Sequence, residues 1–69
     1  MTDHTYKTIE LTGSSKTSIE EAASNAIAKA SQSLHNLRWC EVINTRGYIE
    51  DGELAYWQVT MKLSFTLDD

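Results

Sequence analysis

From position 53 to 67 the chain alternates without a miss. Ala55, Trp57, Val59, Met61, Leu63, Phe65 and Leu67 take one side, and Leu54, Tyr56, Gln58, Thr60, Lys62, Ser64 and Thr66 sit between them. A period of two sends successive side chains to opposite faces, so the stretch predicts a strand with one buried face. Residues 38–50 are a second strand candidate, and Asp51-Gly52 between the two is a strong two-residue hairpin signal. Counting outwards from that turn places Glu50 opposite Glu53, Glu41 opposite Lys62, Ile43 opposite Thr60 and Thr45 opposite Gln58. On the other face, Val42 meets Met61 and Cys40 meets Leu63. An opposite-charge pair and an apolar pair in one register support the count, which a bulge would slip by one residue.

Residues 5–12 also alternate, with Ile9 and Leu11 on one face beside Lys7, and their β-branched content predicts a first strand. Gly13-Ser14-Ser15 reads as its end. Ser18-Ile19-Glu20-Glu21 then has the form of a capping box, with Thr17 and Glu20 as a rival cap one residue earlier. Ile19, Ala22, Ala23, Ala26, Ile27, Ala30, Leu34 and Leu37 follow at helical spacing. They predict a helix of about five turns, ending near Asn36. Its alanines allow it to lie close on a sheet, while Glu20, Asn25, Lys29, Gln32 and Asn36 face solvent. The order is β-α-β-β, an α+β protomer with a three-stranded antiparallel sheet packed round one helix.

One helix covers one sheet face, the one expected to hold Cys40, Val42, Met61, Leu63 and Phe65. Trp39 then lies on the other face, with Glu41, Ile43, Thr45, Gln58 and Thr60. A tryptophan there needs something flat and apolar to cover it. Two readings stay open: a stacking site in which the polar neighbours orient a ligand, or packing by a second copy of the chain. The hairpin also overhangs the helix, because strands of this length reach about 43–50 Å and a twenty-residue helix about 30 Å. Tyr48, Ala55 and Trp57 fall in the overhang, and an uncovered long edge is an aggregation hazard unless another subunit takes it.

The length, 69 residues, bounds the chain to one domain spanning 1–69 with a thin core. Chains this small usually add a disulfide, a metal or a partner subunit. Cys40 is the sole cysteine, and with His4 and His35 it forms no metal-ligand spacing. Oligomerisation is left as the staple. Ten acidic against six basic residues give a net charge of −4, which argues against nucleic acid and against an anionic membrane surface. No apolar run is long enough to span a bilayer. One unpaired cysteine and no export signal point to the cytoplasm. Cys40 reads as a small core residue, His4 and His35 as surface residues, Glu41 with Lys62 as a structural cross-strand pair, and Glu20, Glu21, Asp68 and Asp69 as solvated charge.

Several stretches together resemble the dodecin family: Leu11-Thr12-Gly13-Ser14-Ser15, the alanine-rich helix, Trp39-Cys40-Glu41-Val42, Arg46-Gly47, and the run from Tyr56 to Leu67. No single motif is diagnostic. W-x-E-V, a central R-G and a late Y-x-Q-V-T at matching distances are specific in combination, and the likeness covers about residues 5 to 68. It implies a β-α-β-β protomer, twelve of which form a hollow shell that binds flavins in pairs, two isoalloxazines stacked between two symmetry-related tryptophans. It implies flavin storage and protection and no enzymatic activity. Carried over, Trp39 matches the stacking tryptophan. Gln58 matches the glutamine at the flavin's pyrimidine edge, and Arg46 a basic position near the FMN phosphate side. By parity Arg46 falls on the opposite sheet face from Trp39 and Gln58, so its role would lie across a subunit boundary. The chain departs from the pattern at Thr66, where many bacterial members have arginine, at Cys40, where an aromatic is common, and at Arg38, where an acidic residue is common.

Three functions compete: a flavin-sequestering oligomer holding riboflavin, FMN or FAD, a flavin-dependent enzyme, and an oligomeric structural or interaction module without flavin. An enzyme needs substrate access to the reactive ring face and a proton donor or acceptor beside it. Stacking both ring faces blocks that access, and the sequence puts no histidine, lysine or reactive thiol beside Trp39.

Overall fold

A computed structural model of the chain describes residues 3–67; the charge at Asp68 and Asp69 lies outside them. Four elements follow in the order β1 (Tyr6–Ser15), α1 (Ile19–Ser31), β2 (Leu37–Glu50) and β3 (Glu53–Thr66). The strands form one antiparallel sheet in the order β1-β3-β2. The long hairpin stretches the molecule to 54 × 20 × 14 Å.

β3 is central and carries the core. Val59, Met61 and Leu63 are buried together with Ala22, Ala26 and Ala30 of α1, and Ile9, Leu11, Ile27, Leu34 and Leu37 pack around them. The alanine stripe lets the helix sit close to the sheet. β1 runs through Gly13-Ser14-Ser15 and does not stop before it. Gly13 is where helix and sheet approach most tightly: a Cβ there would collide with the Ala22 carbonyl and the Ala26 Cβ. The glycine thus makes room within a strand and does not break it.

Ser15, the last residue of β1, organises the start of the helix. Its hydroxyl oxygen accepts from the amides of Thr17 (2.9 Å) and Ser18 (3.3 Å), and its O–H donates to the Glu21 carboxylate. Ser18 is the N-cap, accepting at Oγ from the Glu21 amide at 3.0 Å. Half of the capping box therefore forms as expected. The other half, a return bond from Glu21 to the Ser18 amide, is replaced by the Ser15 relay.

The helix is 13 residues long, shorter than the apolar stripe implies. Ser31 turns its hydroxyl back to the Ala28 carbonyl (2.8 Å), and the Ser33 and Leu34 amides both close on the Ala30 carbonyl. Such serine back-bonding competes with continued helix. Leu34 and Leu37 extend the stripe because they pack on the same core, from the connection and from the first residue of β2. Asn36, with φ of 64°, makes the left-handed turn into β2, which asparagine tolerates better than most residues.

α1 packs on β1 and β3, and β2 lies outside that cover, exposed from Arg38 to Glu50. This corrects the expectation for Cys40 and Val42. Both share a face with Leu63 and Met61, but they stand on an edge strand beyond the helix, and Cys40 is exposed. Val42, Ile49 and Leu54 are likewise exposed.

Candidate functional site

The sheet face away from α1 is built from the alternate residues of all three strands. Across β2 and β3 its pairs are Trp39 with Ser64, Glu41 with Lys62, Asn44 with Thr60, Arg46 with Gln58 and Tyr48 with Tyr56. On the β1 side, the Thr8 and Ser64 hydroxyls pair at 2.9 Å, as do those of Thr12 and Thr60. Trp39, 65% exposed, is the large apolar side chain of this face nearest the β2 start.

The straight hairpin count holds at Glu50–Glu53 and Ile49–Leu54 and again from Val42 to Trp39, but not from Tyr48 to Asn44. β3 carries one extra residue at Ala55, and β2 one at Ile43. Each irregularity shifts the pairing by one residue, and the second cancels the first. Ile43 therefore does not face Thr60, and Thr45 pairs with Val59 on the helix-side face. Arg46 moves to the outer face opposite Gln58, and its Nε donates to Gln58 Oε1 at 2.8 Å. The parity argument that sent Arg46 to the far face is overturned, because a bulge exchanges the two faces of a strand.

Two sequence signals point to the shifted register. Tyr48 and Tyr56 become direct partners and stack at 5.0 Å with an 18° interplanar angle. Gly47 becomes the partner of Trp57. A side chain at Gly47 would meet the Leu54 methyl and the Trp57 ring, so the small residue accommodates the large one. Tyr56 is a site-face residue that the sequence reading did not single out.

Trp39 and Gln58 share the outer face but do not meet. Trp39 pairs with Ser64, six residues from Gln58 along β3, which is about 20 Å of strand. Gln58 instead borders a surface groove of about 520 Å³ formed with Ser14, Ser15, Lys16, Thr17, Glu21, Asn25 and Tyr56. The Asn25 amide closes one side of it by donating to the Ser14 carbonyl at 3.1 Å. Thr66 is far from this groove and 7% exposed, with its amide and hydroxyl both directed at the Asn36 carbonyl (3.2 and 3.5 Å). It secures the turn into β2.

A family model described as Dodecin matches residues 5–68. The chain belongs to the dodecin family. Dodecin from Thermus thermophilus is 36% identical over 64 residues, 93% of each chain. The structure of dodecin from Streptomyces davaonensis matches with a TM-score of 0.93 and 47% identity, covering 99% of this chain and 100% of that one. The calcium dodecin of Mycobacterium tuberculosis, described as having a calcium-binding site, matches with a TM-score of 0.83 and 28% identity, over 93% of this chain and 91% of that one. The β-α-β-β topology and its antiparallel sheet are thus those of solved dodecins. Among the described residues, no three His, Cys, Asp or Glu side chains gather as a metal site, and no helix is long and apolar enough to cross a membrane.

Proposed function

We propose that this chain is a flavin-binding storage protein that works as a homo-oligomer, a dodecamer of single-domain protomers, in the cytoplasm. The observation that carries the reading is Trp39, 65% exposed on the sheet face away from the helix. An indole left wet on a flat β surface is an apolar platform for an aromatic ring. Gln58, on the same face, offers amide groups suited to a ring's polar edge. Trp39 and Gln58 are too far apart on one protomer to touch one ring, so the site takes its tryptophan and its glutamine from different copies. The exposed β2 edge, with Val42 and Ile49 uncovered, and Leu54 exposed beside it at the start of β3, favour such assembly. Membership of the dodecin family supports pairs of flavins stacked between two symmetry-related tryptophans. A ring covered on both faces is held and shielded from substrates, so the role is sequestration and not turnover.

Size-exclusion chromatography with light scattering and an absorbance spectrum on the same peak tests this. A large oligomer carrying a flavin spectrum, or taking one up from added riboflavin, FMN or FAD, is the expected result. A large oligomer that binds no flavin would leave the uncovered β2 edge as the basis of a purely structural or interaction role.

A further inference from the structure

From Ile43 to Tyr48, β2 is exposed along its whole length at the sheet edge. Neither face of this stretch is buried, so burial does not choose its register; registers of such strands are weakly specified. Its ends are fixed. The Asp51-Gly52 turn holds Ile49 on Leu54, and Val42 sits on Met61 by the same plain count. Between them, the extra residues at Ala55 of β3 and Ile43 of β2 cancel. Dropping both at once would return the block to the plain count without moving either end. β1 would be untouched, because it pairs along the other edge of β3. In the plain register Thr45 would face Gln58 on the outer side, and Arg46 would face Trp57 on the helix side. Cross-strand fit is what separates the two registers. In the shifted one Tyr48 and Tyr56 are direct partners, with ring centroids 5.0 Å apart and planes at 18°, and Gly47 makes room for Trp57 and Leu54. In the plain one Tyr48 would face Ala55 and Tyr56 would face Gly47, so both rings lose their partner.

We propose that the Tyr48–Tyr56 stack is a register lock: it selects the shifted pairing of a block that otherwise slips by one residue, and so keeps Arg46 on the outer sheet face. The two tyrosines are positioning residues that act through the backbone of β2. A one-residue slip sends every side chain of the block to the opposite face, so releasing the lock carries Arg46 to the helix side and breaks its 2.8 Å bond to Gln58. That bond also favours the shifted register, but it is exposed and exchanges with bonds to water. An aromatic pair contributes beyond the area it buries. The inference concerns the chain itself and does not depend on the flavin reading.

Engineered disulfides read the register, because two cysteines join only where their backbones are close and their Cβ atoms face each other. In a Cys40→Ser background, which removes the sole native thiol, Thr45→Cys with Val59→Cys reports the shifted register. Thr45→Cys with Gln58→Cys reports the plain one. Both proteins are equilibrated in a glutathione redox buffer, and the intrachain disulfide is quantified by mass. With both tyrosines in place the first pair should oxidise and the second should stay mostly reduced. Tyr48→Thr keeps a good strand former and removes the ring. It should raise the second disulfide relative to the first by a few-fold to about tenfold, the size expected of one aromatic pair. Tyr48→Phe keeps the stack and should match the parent protein. Tyr56→Thr removes the other ring and should act as Tyr48→Thr does, and it decides alone if Tyr48→Thr does not fold. Three results would overturn the proposal. One is a ratio of the two disulfides that the threonine variants leave unchanged. Another is a Tyr48→Phe protein that slips as Tyr48→Thr does, since the effect would then belong to the hydroxyl. The third is a plain-register disulfide that forms as readily as the shifted one with both tyrosines present, since then nothing is locked.

Discussion

The 2.8 Å hydrogen bond from Arg46 Nε to Gln58 Oε1 joins two residues that a straight hairpin would put on opposite faces of the sheet. They meet because two one-residue irregularities, at Ala55 and at Ile43, shift the register of the segment between them and then restore it. The same segment pairs Tyr48 with Tyr56 and Gly47 with Trp57. Asn44 to Tyr48 of β2, with Tyr56 to Thr60 of β3, is thus a locally re-registered block with its own aromatic stack, between segments that follow the plain count.

Gln58→Ala should weaken flavin binding without abolishing it. The lost hydrogen bonds contribute about 0.5–1.5 kcal/mol net each, and the stacking surface at Trp39 remains. Fluorescence titration with riboflavin reads this directly, and unchanged affinity would mean that Gln58 does not touch the ring. Circular dichroism should match the wild type, because Gln58 lies outside the buried core.

Gly13→Ala should destabilise the protein by about 1–3 kcal/mol, the usual cost of forcing atoms into a close-packed contact. The new methyl would collide with the Ala22 carbonyl and the Ala26 Cβ, so α1 must lift from β1. Gly52→Ala is the comparison. Nothing lies near that position, and any penalty there comes from its φ of 77° alone. A denaturant midpoint for Gly13→Ala equal to that of the wild type would show that the close approach is absent in solution.

The order of elements, the Asp51-Gly52 hairpin, the Ser18 cap and the Val59-Met61-Leu63 core were legible because each is written in local spacing. So were the pairs Glu41–Lys62 and Val42–Met61, which lie where the register is plain. Arg46 was misplaced because the bulges that move it are set by cross-strand fit between Gly47 and Trp57, and between Tyr48 and Tyr56, which period-two counting along one strand does not see. The helix was read too long because Leu34 and Leu37 continue its apolar stripe from a turn and a strand. Cys40 was read as core on parity alone. Parity assigns a face, and the position of β2 at the sheet edge decides exposure.

A large symmetric oligomer with no stable folded monomer is expected. The buried apolar core comprises three alanines, Val59, Met61 and Leu63, and Ile49, Leu54 and Tyr48 stand exposed at the overhanging end of the hairpin. A core so small contributes little against chain entropy. Light scattering should return a mass many times the 7.8 kDa of one chain. A monodisperse monomer at micromolar concentration would remove the assembly reading.

FMN should gain little over riboflavin, less than about tenfold. Thr66 is buried against the Asn36 carbonyl and presents no cation, Arg46 is tied to Gln58 through its Nε and has only its remaining N–H groups to offer a phosphate, and the chain carries a net charge of −4. A charge-assisted contact to phosphate is worth roughly 1.5–3 kcal/mol, so a single well-made one would already exceed that margin. Titrating both ligands at moderate salt checks it, and a hundredfold preference for FMN would show that the phosphate is met by a well-made cationic contact and that this prediction is wrong.

Trp39→Ala should separate binding from assembly. If the indole stacks on an isoalloxazine, its removal costs about 2–4 kcal/mol of flavin affinity, the range of aromatic hot spots. The indole is also an electron-rich donor in contact with an excited-state acceptor, so flavin bound to the wild type should be strongly quenched. Whatever flavin the variant retains should then recover its emission. The fold should survive, because Trp39 is 65% exposed and belongs to no part of the buried core. A packing role for Trp39 reverses the order: the oligomer would fall apart on substitution, and flavin added to the wild type would fluoresce as it does free. Size-exclusion and fluorescence titration on the two proteins distinguish these outcomes. An intact oligomer with wild-type flavin affinity after Trp39→Ala would exclude stacking and packing alike, and the site would have to be sought on the groove beside Gln58 instead.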